Sequence, residues 1–197
     1  MWTNKFSGLY VIKMKKIIIC IAGESGTGKT TMAEYIEKSY NIPMIYSYTD
    51  RLPRFRDEMG HIFITKEEYD ELKIEDMIAF TKFGDARYCC LKKDVKDVNT
   101  YVVDENGIKY LETMYGNEYE IFKVRLHRPE EMRNVSTERI NRDKGMFNND
   151  IIYDLNIYNN GNLDEFYTKI RGALSYISTK VYLERITYYL ERNTNEE

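Results

Sequence analysis

The chain has 197 residues, a formal net charge of −3 and 14% aromatic residues. That leaves room for one sizeable core, so a single domain over residues 1–197 is expected, while disorder and nucleic acid as a main partner are both disfavoured. The three cysteines, Cys20, Cys89 and Cys90, are odd in number and lack C-x-x-C spacing; neither a disulfide framework nor a zinc site is indicated, and a reducing cytoplasm fits best.

Residues 1–13 (MWTNKFSGLYVIK) lack the apolar core of a signal peptide, and the longest apolar run, IIICIA at 17–22, is too short to cross a bilayer. No membrane partner is expected. Met14 directly precedes the first apolar run, so residues 1–13 read as a non-essential extension from an upstream start codon. Residues 16–22 (KIIICIA) have the continuous β-branched pattern of a strand buried on both faces of a parallel sheet. From Lys29 the period becomes helical, with Met32, Ala33, Ile36 and Tyr40 on one face until Pro43. MIYSYT (44–49) reads as a second strand, running into the basic segment DRLPRFRDEMGH. Thr65-x-x-Glu68 is a capping-box signature, predicting a helix through about Phe83 with Tyr69, Leu72 and Phe80 among its apolar positions. TYVVDENG (100–107) reads as a strand ended by Asp104 and a turn, and EIFKVRL (120–126) as another strand. Residues 127–143 are arginine-rich without an apolar face, which fits a mobile segment before the strand-like IIYDLNIY (151–158). Beyond Leu163, Phe166, Ile170, Leu174, Ile177 and Val181 recur at helical spacing, with Gly172 as a weak point. Strands alternating with helices predict an α/β fold in three layers, a central parallel sheet with helices on both faces.

Gly23-Glu24-Ser25-Gly26-Thr27-Gly28-Lys29-Thr30 matches G-x-x-x-x-G-K-[ST] between a predicted strand and a predicted helix. Glycines let successive N–H groups turn inward, and the helix N-terminus adds about half a positive charge. Residues 23–31, ending at Thr31, are therefore expected to bind the phosphates of ATP, with Lys29 on the β- and γ-phosphates and the Thr30 hydroxyl on Mg²⁺. No N-K-x-D run is present to read guanine as a GTPase would. Arg51, Arg54 and Arg56 follow the second strand, which in such sheets ends on the same rim as the loop. Arginine forks grip phosphate oxygens in pairs, so Arg51 and Arg54 are expected to hold a second, accepting phosphate; a solvated basic loop is the alternative.

Ser47-Tyr48-Thr49-Asp50-Arg51-Leu52-Pro53-Arg54-Phe55-Arg56-Asp57-Glu58-Met59-Gly60, followed by Phe63 and Thr65-Lys66-Glu67-Glu68-Tyr69, resembles the T-T-R-x-P-R-x-G-E-x-x-G stretch of guanylate kinases and the F-[VI]-[ST]-x-x-E-F after it. The resemblance implies that Arg51 and Arg54 bind the phosphate of a nucleoside monophosphate and that Asp57 is the family's acidic residue. Phe83-Gly84-Asp85-Ala86-Arg87-Tyr88-Cys89 is similar to the family's G-N-x-Y-G-T, which implies Tyr88 as the phosphate-site tyrosine. The glutamate that reads guanine falls on Ile78, and its hydroxyl partner on Cys89 or Cys90, so both guanine contacts depart from the family. Glu75 or Asp76 are the acidic residues nearby.

Asp104 in V-V-D-x-x-G is similar to the family's acidic turn beside magnesium and acceptor, which implies a metal contact through water; a plain turn aspartate is the equal alternative. Arg125, Arg128, Arg133, Arg139 and Arg142 spread through a segment that P-loop nucleotide kinases close over the phosphates. Arg139 and Arg142 lead as catalytic candidates beside Lys29, and Arg133 is third. Asp154 to Leu163 resembles the turn on which such kinases rest adenine, implying a contact from Asn159, although a plain Asn-Gly turn reads as well. The expected regions are an NMP-binding part over about 47–90 and a lid over about 127–145. The resemblance implies ATP- and Mg²⁺-dependent phosphorylation of a nucleoside monophosphate, GMP or dGMP first, by a cytoplasmic monomer or homodimer. The alternatives are a phage-type deoxynucleotide kinase, a dephospho-CoA kinase-like enzyme, or a guanylate-kinase-like binding module without turnover.

Overall fold

The computed structural model describes residues 15–145, 147 and 151–194, so the extension expected at residues 1–13 lies outside the described residues. Strand β1 (Lys16–Ala22) is the middle of a five-stranded parallel sheet. It pairs on one side with β7 (Val98–Val102), beyond which lies β2 (Met44–Ile45), and on the other with β8 (Tyr119–His127), beyond which lies β9 (Leu155–Tyr158). Because side chains alternate along a strand, β1 feeds two cores. Ile17, Ile19 and Ile21 meet α1 (Lys29–Tyr40) and α5 (Leu163–Thr194), whereas Ile18, Cys20 and Ala22 join the cluster of α3 (Glu105–Tyr115). Both faces are covered, which explains an apolar run with no polar alternation, and the expected three layers are present. Each fully buried isoleucine here contributes about 1.5–3 kcal/mol. Gly172 does not interrupt α5, because the apolar face from Phe166 to Val181 is packed on both sides of it.

Three local expectations differ from the structure. MIYSYT is divided at Tyr46: β2 stays in the main sheet, while β3 (Ser47–Thr49) enters a second sheet. The capping box is present, with Thr65 Oγ1 accepting from the Glu68 N–H at 3.1 Å and Glu68 Oε2 accepting from the Thr65 N–H at 2.7 Å. The helix it opens, α2 (Lys66–Asp70), is only five residues long, and 77–83 is a strand, β5 (Met77–Phe83), paired with β6 (Ala86–Leu91). The two-residue loop Gly84-Asp85, with Gly84 at φ +57°, joins them, and the alternation of Thr81 and Lys82 belongs to a hairpin. Asp104 does not end in a turn: it caps α3, its Oδ1 accepting from the Gly107 N–H at 2.8 Å.

The second sheet runs β4 (His61–Phe63), β3, β6, β5. Tyr48, Cys89 and Leu91 pack with Tyr69 and Leu72 on one face. Cross-strand partners Ser47 and His61, Thr49 and Tyr88, and Tyr88 and Thr81 share the other face by register, and most of them line the pocket at the rim of the main sheet. A bulge between Met77 and Ala79 sends both Ile78 and Ala79 into the α3 core. The arginine-rich stretch after β8 has order of its own, a 3₁₀ turn at Glu130–Met132 and a helix, α4 (Thr137–Asp143).

Candidate active site

Residues 23–28 connect the C-terminal end of β1 to α1, at the rim where β7 and β8 also end. A crevice at that end of a parallel sheet is where ligands settle. Gly23 has φ +151°, and a Cβ on it would meet the Leu126 carbonyl at 2.6 Å; Gly28 has φ +103° and lies against the Asn159 amide. The loop's carbonyls are tied back. Thr27 Oγ1 donates to the Glu24 carbonyl at 2.9 Å, and Asn159 Nδ2 donates to the Thr27 carbonyl at 2.9 Å. With these carbonyls occupied, the loop's remaining N–H groups are available to an anion.

One of those N–H groups already carries an anion. Ser25 N–H donates to Asp143 Oδ2 at 2.5 Å, while Arg142 Nη2 donates to Ser25 Oγ and to Asp143 Oδ1, both at 2.9 Å. A carboxylate from α4 thus stands where a phosphate oxygen fits, and hydrogen bonds from the loop and Arg142 hold Asp143 below the usual carboxylate range despite its burial. Asp143→Asn is expected to tighten ADP binding three- to tenfold, since a neutral amide competes for the same N–H less well than a carboxylate by about 1 kcal/mol. Calorimetric titration of both proteins checks this, and an unchanged or weaker affinity in the variant would refute it.

Lys29 opens α1, and its Nζ donates to the carbonyls of Gly23 at 2.6 Å and Glu24 at 2.9 Å. Burial brings its pKa down to about 8, helped by the positive charges of Arg139 and Arg142 and opposed by Asp143 and Glu24. Glu24 is itself held by Arg125, whose Nη2 donates to Glu24 Oε1 at 2.8 Å and Nη1 to Glu105 Oε1 at 3.3 Å; Phe147 covers the guanidinium at 3.6 Å. Sequence reasoning counted Arg125 with the arginine-rich segment. Its register in β8, beside Ala22 of β1, is what brings it beneath the loop.

Across the same pocket, which measures about 210 Å³, Arg54 and Tyr88 line the wall and connect it to Arg51 and Glu58. Arg51 Nη1 and Nη2 donate to the two oxygens of Glu58 at 2.9 and 2.6 Å, and Arg51 Nε donates to the Tyr88 hydroxyl at 2.9 Å. Arg54 adds Nη1 to Glu58 Oε1 at 3.1 Å and its backbone N–H to Oε2 at 2.8 Å. The acidic partner was expected at Asp57. Asp57 is instead at φ +62° with its side chain 88% exposed, and Glu58, 6% exposed, takes that place. The i,i+4 spacing from Arg54 was the available signal. Burial would raise the Glu58 carboxyl, but the bonds from Arg51 and Arg54 outweigh it and bring its pKa to about 2. A carboxyl lowered on folding stabilises fully above its ordinary value of 4.5, and that contribution fades as the pH falls towards 2. Glu58→Gln is expected to cost about 2 kcal/mol at pH 7 and almost nothing near pH 2, as read by urea unfolding at both; an equal loss at the two pH values would rule this out.

The remaining expected residues divide. Thr30 and Asp104 line the same pocket as Lys29, Arg54, Tyr88 and Arg142. Burial pushes the Asp104 carboxyl up, against hydrogen bonds from the α3 N–H groups and from Thr81. Arg139 lies near enough to Lys29 and to Arg54 for its positive charge to disfavour a proton on each. Its Nε is buried with no hydrogen-bond partner among the described residues. Arg133 packs against Gly26, where an added Cβ would come within 3.1 Å of the Arg133 Cβ. Thr31 and Asn159 line a different cavity of about 420 Å³ on the far side of the loop, with Arg128 and Asn134. Asn159 is 4% exposed and its amide is committed to Thr27, so what is visible of it is a brace under the loop.

The loop's N–H groups, Lys29 and Arg142 fit a nucleotide's phosphates, as the carboxylate on Ser25 illustrates. Thr30 and Asp104 fit a hard divalent cation such as Mg²⁺. Among the described residues no group of three or more His, Cys, Asp or Glu side chains could hold a metal by itself, so such an ion would be shared with the phosphates. Among the described residues no helix is long and apolar enough to cross a membrane.

No family profile matches the chain. A guanylate kinase of Fusobacterium nucleatum subsp. nucleatum is 30% identical over 80 residues, covering 39% of this chain and 43% of that protein. Guanylate kinases of Aster yellows witches'-broom phytoplasma and Onion yellows phytoplasma are each 31% identical over 91 residues, 44% of this chain and 43% of theirs. The matched span is thus less than half the length of these curated relatives. The crystal structure of guanylate kinase from Anaplasma phagocytophilum superposes with a TM-score of 0.59 at 19% identity, covering 86% of both chains. The chain is guanylate kinase-like, in sequence over the matched span and in fold over most of its length.

Proposed function

We propose that this protein is an ATP-dependent nucleoside monophosphate kinase of guanylate kinase type, with GMP and dGMP the first acceptors to test and the cytoplasm its compartment. The observation that supports it is one pocket lined by the 23–30 loop with Lys29 and, opposite, by Arg54 and Tyr88, to which Arg51 is tied through Glu58 and the Tyr88 hydroxyl. The loop N–H groups and Lys29 hold the donor's β- and γ-phosphates. Arg51 and Arg54 exchange Glu58 for the acceptor's phosphate and aim one of its oxygens at the γ-phosphorus. Tyr88, bonded to Arg51 Nε, fixes the angle of that fork. The attacking oxygen is already anionic, so the pocket needs no general base, and catalysis is alignment plus neutralisation of charge. Arg139 and Arg142, on α4, supply positive charge from the open side as that segment acts as a lid. Mg²⁺, when bound with the nucleotide near Thr30 and Asp104, supplies further charge neutralisation at the phosphates.

The test is ADP formation from ATP with GMP, dGMP, AMP, CMP, UMP, dTMP and dephospho-CoA in turn. Turnover with one or more of the monophosphates is expected. Turnover with dephospho-CoA alone, or with none of the panel, would overturn the proposal.

A further inference from the structure

Resting on the kinase reading, the end of β8 acts as the footing of the phosphate loop. Its register sets Arg125 beside Ala22, and the first two residues of the loop each meet one residue of β8. Gly23 is so close to the Leu126 carbonyl that a Cβ would come within 2.6 Å of it, and Glu24 Oε1 accepts from Arg125 Nη2 at 2.8 Å. Glu24 is the corner on which the loop's working groups hang, since its carbonyl accepts from Lys29 Nζ and from Thr27 Oγ1, each at 2.9 Å. The other arm of the fork, Arg125 Nη1, donates to Glu105 Oε1 at 3.3 Å, and the Tyr153 hydroxyl donates to the same oxygen at 2.8 Å. Glu105 follows Asp104, the α3 cap that lines the pocket. Arg125 and Glu105 are 6% and 2% exposed, so each compensates the other's buried charge, while Glu24 reaches in from a more open position. The guanidinium does not line the pocket: Phe147, which does, covers it with its ring centroid at 3.6 Å.

We propose that Arg125 is a positioning residue for phosphoryl transfer, a buried fork that fixes the Glu24 corner of the phosphate loop, and with it Lys29, relative to the α3 N-terminus and Asp104. It acts without touching a phosphate. A planar guanidinium with one arm on each carboxylate sets both distance and angle, whereas a lysine in its place reaches one of them on a flexible stem. Displacing a reacting partner by about 1 Å costs about 10²-fold in rate, so a loop corner free to shift is felt in transfer more than in folding. The acceptor's arginines are held by a different carboxylate, Glu58, which confines the effect to the donor side.

The experiment compares the full chain with Arg125→Lys, Glu24→Ala, Glu24→Gln and the double variant of Arg125→Lys with Glu24→Ala. Calorimetry gives the ADP dissociation constant, initial rates with the best monophosphate acceptor give kcat and the acceptor KM, and thermal unfolding gives stability. Arg125→Lys and Glu24→Ala are each expected to weaken ADP about five- to tenfold and to lower kcat by about 10²-fold, with the acceptor KM changed less than about threefold. Because both cut the same link, the double variant is expected to be no worse than the poorer single, and Glu24→Gln, which keeps an oxygen for the fork, to regain most of the loss. Glu24→Ala leaves the buried pair of Arg125 and Glu105 whole, so its thermal midpoint stays within about 4 °C of the parent and it carries the test alone if Arg125→Lys does not fold. Effects that multiply in the double variant, an acceptor KM raised as much as the ADP constant, a Glu24→Gln no better than Glu24→Ala, or an ADP affinity of Glu24→Ala within about twofold of the parent overturns the footing. The expected ADP pattern in a parent that turns over no monophosphate sinks the kinase reading and leaves the footing standing.

Discussion

Alanine at position 29 is expected to lower phosphoryl transfer by at least 10³-fold while leaving the fold as stable as before. The two halves of that expectation have separate causes. Lys29 is held between two loop carbonyls in the pocket wall, and burial has brought its pKa to about 8, so folding makes its charge harder to keep. Deleting a group that the folded state already disfavours as a cation costs little, and the Gly23 and Glu24 carbonyls stand beside a solvent-connected pocket. The charge acquires its value when phosphate arrives, as a fixed cation at the transferring group in a water-poor site. The same pKa sets a pH signature. The nucleotide-free protein loses the Lys29 proton above about pH 8, whereas bound phosphate holds it on, so ADP affinity is flat below pH 7 and about tenfold weaker at pH 9. In Lys29→Ala the slope between pH 7 and 9 should vanish. Titration calorimetry at three pH values reads the slope, and thermal unfolding reads the stability. A variant that keeps a tenth of the parental turnover, or the parental pH slope, would contradict the role given to Lys29.

The fold was legible where one periodicity held over a full element. β1 is apolar without alternation because both its faces are covered, and α5 keeps its stripe from Phe166 to Val181 despite Gly172. The second sheet was hidden because α2 and β5 follow one another closely, with Tyr69, Leu72 and Phe80 falling at positions that one helix could also carry. Thr65 and Glu68 truly cap a helix, and local capping says nothing about where that helix stops. That helix stops at Asp70, and what makes 77–83 a strand is its pairing with β6 across the Gly84-Asp85 loop, which is information from outside the window. The site followed the same division. The loop at 23–30 is spelled out because backbone geometry demands its glycines. The carboxylate between Arg51 and Arg54 slipped by one residue, from Asp57 to Glu58, since which of two adjacent acids turns inward is decided by the positive φ at Asp57. Asp143 on Ser25 and Arg125 beneath Glu24 bridge separations of 118 and 101 residues, and no spacing in the chain announces such pairs.

The second large effect is expected at α4. Arg139→Ala should reduce kcat by about 10³-fold, with ADP and acceptor affinities changed less than tenfold, because its positive charge acts on both Lys29 and Arg54 and its buried Nε has no hydrogen-bond partner among the described residues. A cation facing two other cations raises the energy of the empty pocket. That repulsion reverses only when a phosphoryl group, with negative charge on its equatorial oxygens, passes between them. The cost of holding three positive groups together therefore appears in the ground state, and the benefit in transfer. Arg142 differs, since it already bonds Ser25 Oγ and Asp143. Arg142→Ala should act on nucleotide binding as well as on kcat, releasing Asp143 from its partner at the loop. Arg139→Lys should restore little, because a point charge on a flexible stem does not reproduce a planar fork across two oxygens. Single-turnover rates with saturating ATP and acceptor separate transfer from binding. If Arg139→Ala loses less than tenfold in that rate, or loses it entirely through KM, the arginine is part of the resting surface of α4 and the charge for transfer must come from elsewhere.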